Sequence, residues 1–279
     1  MFSIEDFAND GGTSSSQIRW EPYLEKVIEG YLESNSILRM FCEIYPLVGT
    51  YTANLPRSYS TGMAVEVVEG TEIPSVRQVL STVDVKVTEN GTAVEMTDES
   101  KMVDWYGNLA AREIDEAARR MLRKENDDII TVLLAGCAKS QAAATSGKLD
   151  FNDLVDARTY LKKIFRAADT ALVNPDQYAD QVKDVRFQDF SKSNTTLPLR
   201  EGLIGGRIAG LNILEVPEVP SGSCIVGDFA SRPLWLVLLQ DLKSEAFRIP
   251  EERKDKVQMT AYEKPAVLRA DALYKITAC

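Results

Sequence analysis

Histidine is absent from all 279 residues of this chain. Its absence removes the commonest general base at neutral pH, the usual proton acceptor beside a catalytic serine or cysteine, and the commonest metal ligand. An enzyme built without histidine must rely on paired carboxylates, an activated lysine or a phosphate-binding loop. Any catalytic hypothesis for this chain therefore depends on those three features.

Cysteines are few, and long apolar runs are missing. Cys42, Cys137, Cys224 and Cys279 are scattered without a closely spaced pair, which argues against a zinc site or a disulfide framework and indicates free thiols in a reducing compartment. No run approaches the roughly eighteen apolar residues of a membrane span, and no basic and apolar leader opens the chain. We therefore expect a protein that is made in the cytoplasm and has no membrane partner.

Positive charge is also in deficit, with 32 lysines and arginines against 42 acidic residues and a formal net charge of −10. The overall field therefore repels nucleic acid and anionic membrane surfaces, which argues against a sequence-reading DNA or RNA binder. Hydrophobic residues make up 44% of the chain, so a substantial buried core is expected.

The stretch "REGLIGGRIAGLNI", residues 200–213, is glycine-rich enough to raise the question of phosphate binding. Its glycines miss the dinucleotide spacing, and Gly210 is followed by leucine and asparagine where a phosphate loop needs lysine and serine or threonine. We therefore predict that Gly205, Gly206 and Gly210 are backbone turn positions. The paired acids are typical of solvated faces. The sequence predicts no catalytic residues, no cofactor and no metal, and a nucleotide enzyme using residues 202–210 is the least favoured alternative.

Periodicity divides the first half of the chain into four parts. Residues 1–20 indicate an extended arm, and 22–34 have the apolar spacing of an amphipathic helix. Alternating residues at 83–87 and 92–96 flank Asn90 and Gly91, a pair typical of a two-residue hairpin turn, so we predict a two-stranded arm. Asp98 is predicted to cap a helix from residue 99 to about 134, which at 1.5 Å per residue would be roughly 45 Å or more long and would link separate parts of the fold.

The second half mixes helices and strands without strict alternation, so the fold class is α+β. The pattern predicts helices from Asp150 to about residue 165 and over 177–183, and an exposed loop over 188–202. Predicted strands cover residues 171–173, 213–219, 224–226, 234–238, 257–261 and 267–276.

This order of parts resembles the HK97-type major capsid proteins of tailed phages and archaeal tailed viruses. The resemblance is carried best by "TVDVKVTENGTAVEMTDES" (82–100), "TALVNPDQYADQV" (170–182) and "GGRIAGLNILEVPEVPSGSCIVGDFASRPLWLVL" (205–238). It implies an HK97-like capsid fold in five parts. These are an N-terminal arm and first helix (1–50), an extended hairpin loop (51–98), a spine helix of the peripheral domain (99–137), an axial domain (138–228) and the C-terminal part of the peripheral domain (229–279).

The same resemblance implies a structural protein of the virion rather than an enzyme. It would assemble in the host cytoplasm into pentamers and hexamers of an icosahedral shell around double-stranded DNA, with separate scaffolding and portal proteins. The implied subunit contact lies in the extended loop, at Val83, Val85, Lys86, Val87, Asn90 and Gly91. The alternative within the same fold is an encapsulin-like compartment that encloses cargo enzymes.

Overall fold

The computed structural model describes residues 38–59, 79–103, 109–145, 147–183 and 207–279. The helices are α1 (Asp98–Val103), α2 (Leu109–Gly136), α3 (Phe151–Lys163) and α4 (Pro175–Lys183). The strands are β1 (Cys42–Pro46), β2 (Thr52–Tyr59), β3 (Val79–Lys86), β4 (Thr88–Thr97), β5 (Lys139–Ala142), β6 (Thr170–Val173), β7 (Arg207–Ile208), β8 (Leu211–Glu215), β9 (Ser223–Gly227), β10 (Leu234–Ile249), β11 (Lys254–Val267) and β12 (Leu273–Thr277). The mixed class predicted from the sequence is confirmed.

A four-stranded sheet has the order β1-β10-β11-β4 and is built on the long antiparallel pair β10 and β11. The alternating apolar residues of β4 and β11 face α2, where Val94 and Val257 pack against Ile114 and Leu122. An amphipathic helix and a strand of period two each have one apolar side, and this cluster is where the two sides meet.

A six-stranded sheet has the order β5-β12-β9-β6-β8-β7 and is covered on both faces. Alternate residues of β6 show this: Ala171 and Val173 pack in the cluster that contains Leu161 of α3, whereas Leu172 packs in the cluster that contains Leu133 of α2. All four β6 residues are buried, as the uniformly apolar "ALV" run indicates.

Helix α2 links the two sheets. Its N-terminal half, including Ile114 and Leu122, packs on the four-stranded sheet, and its C-terminal half, including Ile129 and Leu133, packs in the cluster that reaches the six-stranded sheet. The long connecting helix predicted from residue 99 to about 134 is present in part, as the 28 residues of α2, which begins at Leu109 and ends at Gly136, after the separate short helix α1.

The predicted hairpin turn at Asn90 and Gly91 is wrong. The chain continues from β3 through Val87 into β4 without reversing, and β3 pairs with β2 whereas β4 pairs with β11. Asn90 and Gly91 lie inside β4, opposite Ala261 and Thr260. Long-range pairing with β11 therefore overrides the local turn preference.

The predicted cap at Asp98 is also wrong. Thr97 is the capping residue, because its Oγ1 accepts a hydrogen bond from the backbone N–H of Ser100 at 3.2 Å. Asp98 instead forms a bidentate ion pair with Arg248. At α3 the predicted start is confirmed, since Asp150 and Asp153 form a reciprocal capping box.

Several predicted boundaries are moved by strand pairing. Residues 42–46, assigned to the arm, form β1 in the four-stranded sheet, and β12, assigned to the part at 229–279, lies in the six-stranded sheet beside β5 and β9. The strand predicted at 234–238 continues to Ile249, and the strand predicted at 213–219 ends at Glu215. The arm at 1–20, the helix at 22–34, the loop at 188–202, Gly205 and Gly206 lie outside the described residues.

Candidate functional site

The paired strands β2 and β3 form the base of a hairpin whose two faces differ. Ala53, Leu55 and Val85 are buried, and Thr52, Asn54 and their neighbours on the other side of the pleat are exposed. The buried side packs on Val237 of β10, Ala266 of β11 and Leu268. The base of this hairpin is therefore fixed to its own subunit.

The residues predicted to form a subunit contact differ in their exposure. Val85 and Val87 are buried in the hairpin cluster of their own chain, and Val83 packs against it. Lys86 alone among these four is exposed, on the opposite face of β3. The alternation that marked the valines arises from their burial within the subunit.

Asn90 and Gly91 make contacts within their own subunit. The Asn90 side-chain amide lies 3.4 Å from both the Asp128 and the Glu263 carboxylates, and donates toward both. A Cβ atom at Gly91 would lie 3.2 Å from the carbonyl oxygen of Met259, so glycine permits the close approach of β4 to β11. Contacts with neighbouring elements of the same subunit therefore account for both Asn90 and Gly91.

An apolar surface that sequence analysis missed surrounds β1, at the edge of the four-stranded sheet. Met40 is 76% exposed and Val48 is 89% exposed, and Ile44, Tyr45 and Tyr51 are also exposed. Such grouping of large apolar side chains at a strand edge is typical of a surface that contacts another chain. The dense apolar run from Met40 to Val48 could have indicated this surface. It was overlooked because residues 1–50 were predicted as an N-terminal arm and first helix.

A buried charge cluster joins α2 to the four-stranded sheet and to the turn at Arg39. Glu125 and Glu263 are each only 5% exposed. The Arg39 guanidinium lies 3.8 Å from a Glu125 carboxylate oxygen and 3.0 Å from Asp241. One guanidinium thus lies among three carboxylates, two of which are shielded from water.

Burial and the neighbouring Glu125 carboxylate raise the pKa of Glu263 from 4.5 to about 7. The folded state therefore holds this proton more tightly than the unfolded state. The stabilising contribution is complete below about pH 4.5 and is lost as the pH rises toward 7.

Replacing Glu263 by glutamine should flatten the dependence of stability on pH. The wild-type subunit is expected to lose roughly 1–3 kcal/mol of unfolding free energy between pH 5 and pH 8, because the buried carboxyl must ionise. Urea denaturation at several pH values measures this slope. Glu245→Gln, at an exposed position on β10, is the control and should keep the wild-type slope. Equal slopes in Glu263→Gln and wild type would contradict the assignment.

The described end of the glycine-rich stretch is a tight turn. Ala209 and Gly210 both have positive φ, and they join β7 to β8 as a two-residue hairpin. Arg158 Nη1 donates to the Ala209 carbonyl at 2.5 Å, and its guanidinium lies where a side chain at position 210 would extend. The turn assignment of Gly210 agrees with this geometry.

The described residues offer little for covalent or metal chemistry. No group of three or more carboxylates and thiols is arranged to hold a metal ion within the described ranges. Burial raises the pKa of Cys137 to about 12 and that of Cys279 to about 11, so these thiols are protonated at neutral pH.

Within the described ranges, no helix has both the length and the apolar character that a membrane span requires.

Comparison with known proteins gives one family match. The family model described as phage capsid protein matches residues 80–276. No curated protein sequence matches the chain at a significant level.

Solved structures with the same fold come from several sources. The capsid structure of the cyanophage P-SCSP1u covers 87% of this chain and 88% of its own, with a TM-score of 0.69 and 12% identity. The virus-like particle from Pyrococcus furiosus covers 93% and 100%, with a TM-score of 0.66 and 13% identity. The encapsulin of Synechococcus elongatus PCC 7942 covers 100% and 95%, with a TM-score of 0.64 and 13% identity.

Proposed function

Since this chain belongs to the phage capsid protein family, we propose that it self-assembles into the pentamers and hexamers of an icosahedral shell that encloses viral double-stranded DNA. Family membership makes it a capsid shell protein of the virion and confirms the predicted HK97-type fold. The match over residues 80–276 is the observation that carries the proposal. We further propose that the protein is structural and has no enzymatic activity of its own.

Two surfaces support self-assembly. A closed shell needs repeated contacts between different patches of identical subunits. The apolar surface around β1 supplies one such patch, with Met40 and Val48 largely exposed. The exposed face of the β2–β3 hairpin, which includes Lys86, supplies a second. We propose that the extended loop that contains this hairpin overlaps a neighbouring subunit.

The proposed partners follow from the shell function. Scaffolding and portal proteins are expected to be separate chains, and assembly is expected in the host cytoplasm. The net charge of −10 suits a wall that encloses DNA without binding it tightly.

An encapsulin-like compartment is the second candidate. The structural match to the encapsulin of Synechococcus elongatus PCC 7942 covers 100% of this chain and favours it. The contents of the particle distinguish the two functions. Packaged DNA indicates a viral shell, and an enclosed enzyme indicates a compartment.

The direct test is assembly of the purified full chain. Analytical ultracentrifugation and negative-stain microscopy should show rings or closed particles, with or without a co-expressed scaffolding protein. A chain that stays monomeric at every concentration, under crowding and with scaffold present, would overturn the proposal.

Shortening the hairpin tests its role. Residues 60–78 can be replaced by Asn-Gly, because a two-residue turn suits the closing Tyr59–Val79 pair. This variant should unfold like wild type and fail to form particles, as measured by urea denaturation and ultracentrifugation.

Deletion of residues 57–93 is the destructive comparison, because it removes β3 and the buried Val85 and Val87. We expect that deletion to unfold the subunit. A hairpin-shortened variant that assembles like wild type would contradict the proposed overlap.

A further inference from the structure

Helix α3 ends in an exposed aromatic residue with an unusual backbone. Phe165 is 85% exposed and has a φ of +60°. The N–H of Arg166 donates to the Leu161 carbonyl at 2.9 Å and that of Phe165 to the Lys162 carbonyl at 3.0 Å, which together form a Schellman cap. Glycine is the usual residue at this left-handed position, so phenylalanine is disfavoured there. A strained, exposed aromatic residue points to a role outside the subunit.

The residues before Phe165 add positive charge and further apolar surface. Lys162 and Lys163 are exposed and have no ion-pair partner within the described ranges, and Ile164 is 38% exposed. Arg166 is held by an ion pair with Asp271, which fixes the base of the protrusion. We call residues 162–165 the α3 tip.

An open cavity of about 510 Å³ lies at the start of α4. Its lining includes Asp176, Gln177 and Asp180 of α4, together with Gly222. Gln177 is only 4% exposed and donates its Nε2 to the Cys279 carbonyl at 3.2 Å. Its Oε1 has no hydrogen-bond partner in the described part of the chain. The cavity is therefore acidic and contains a buried acceptor that lacks a donor.

The α3 tip and the α4 cavity lie at opposite ends of the six-stranded sheet. Strand β6 runs from the segment after the tip to the start of α4, and all of its residues are buried. Strand β12 also runs from the tip to the cavity. Asp271, which pairs with Arg166 beside the tip, precedes this strand, and Cys279, which lines the cavity, follows it. The tip therefore cannot enter the cavity of its own subunit.

We propose that the α3 tip of one subunit enters the α4 cavity of a second copy of this chain, a contact that rests on the proposed shell function. The tip is basic and apolar, and the cavity is acidic, so their charges are complementary. Two different patches that meet head to tail generate a ring when the rotation closes. Phe165 is the anchor of this contact, and the lysines pair with Asp176 and Asp180.

Phe165→Gly tests the anchor in the full chain. Glycine removes the aromatic side chain and relieves the left-handed strain, so the subunit should be as stable as wild type or more stable. Arg253→Gly is the matched control, because Arg253 is also exposed and has a φ of +48°. We expect only Phe165→Gly to raise the protein concentration needed for assembly, by roughly tenfold or more.

A charge exchange tests the orientation of the contact. Lys162→Glu with Lys163→Glu should weaken assembly, as should Asp176→Lys with Asp180→Lys, and the four substitutions together should restore it. Mixing the two double variants should also improve their assembly, because one carries an acidic tip and the other a basic cavity.

The outcomes separate the two proposals. Failure of the wild-type chain to assemble would overturn the shell function together with this contact. Wild-type assembly at an unchanged concentration in Phe165→Gly would overturn the contact alone. Equal loss of assembly in Phe165→Gly and Arg253→Gly would also overturn it, because the effect would then come from the backbone.

Discussion

Replacing Arg39 by methionine is expected to lower the free energy of unfolding by about 3–5 kcal/mol at pH 8. Methionine keeps much of the apolar stem but leaves Glu125 and Glu263, each 5% exposed, without the positive charge that both carboxylates feel. Removing one partner from a buried ion pair leaves a desolvated charge, and here two carboxylates share that cost. Chemical denaturation of the unassembled subunit measures the loss.

The pH dependence of this loss identifies its cause. At pH 5 Glu263 is protonated, because its pKa is raised to about 7, so the loss should be clearly smaller than at pH 8. Asp241→Asn is the control. It removes the second carboxylate on Arg39, which is 59% exposed, and should cost at most about 1 kcal/mol. Equal losses from Arg39→Met at both pH values would refute the charge-cluster account.

Replacing Gly210 by valine is expected to cost about 2–4 kcal/mol of unfolding free energy. A β-branched residue is strained at a φ of +77°, which costs about 1–3 kcal/mol. The new Cβ would also lie 2.6 Å from Arg158 Nη1 and displace the hydrogen bond to Ala209, worth about 1 kcal/mol more. Thermal or urea unfolding of the purified subunit measures the sum.

Gly49→Val separates the two contributions to that loss. Gly49 has a φ of +74°, and a Cβ there would meet nothing within 4 Å. The difference between the variants therefore isolates the displaced arginine. If Gly210→Val cost no more than Gly49→Val, Arg158 would have no part in holding the turn.

The glycine-rich stretch shows how far local pattern reaches. Its spacing already failed the phosphate templates, and the backbone at Gly210 follows from the need of a two-residue hairpin for positive φ. The arginine that covers the turn comes from α3, 51 positions before Ala209, and no spacing within the stretch could identify it. The turn at Gly210 could be predicted from the sequence, but its contact with Arg158 could not.

The valine alternation shows the opposite limit. The alternation marked Val85, Val87 and Val94 as positions on the apolar face of the chain, and all three are buried, because a strand shows its side chains alternately to its two faces. It could not tell whether the covering surface belongs to the same subunit or to a neighbour. The structure assigns that surface to Val237 and Ala266 for the first two and to Ile114 for the third.

The sequence by itself determined the mixed fold class, the presence of a long connecting helix that was predicted from residue 99 to about 134, and the lack of the commonest catalytic side chain. These are properties of local periodicity and composition, and every residue that decides them lies within a few positions or in the total count. Only the tertiary structure decided that Asn90 and Gly91 lie in a strand, that β12 returns to the six-stranded sheet, and that Glu263 is buried beside Glu125. Strand partners and buried charges are chosen by contacts between residues far apart in the chain, where the burial of apolar surface outweighs the preference of a single turn.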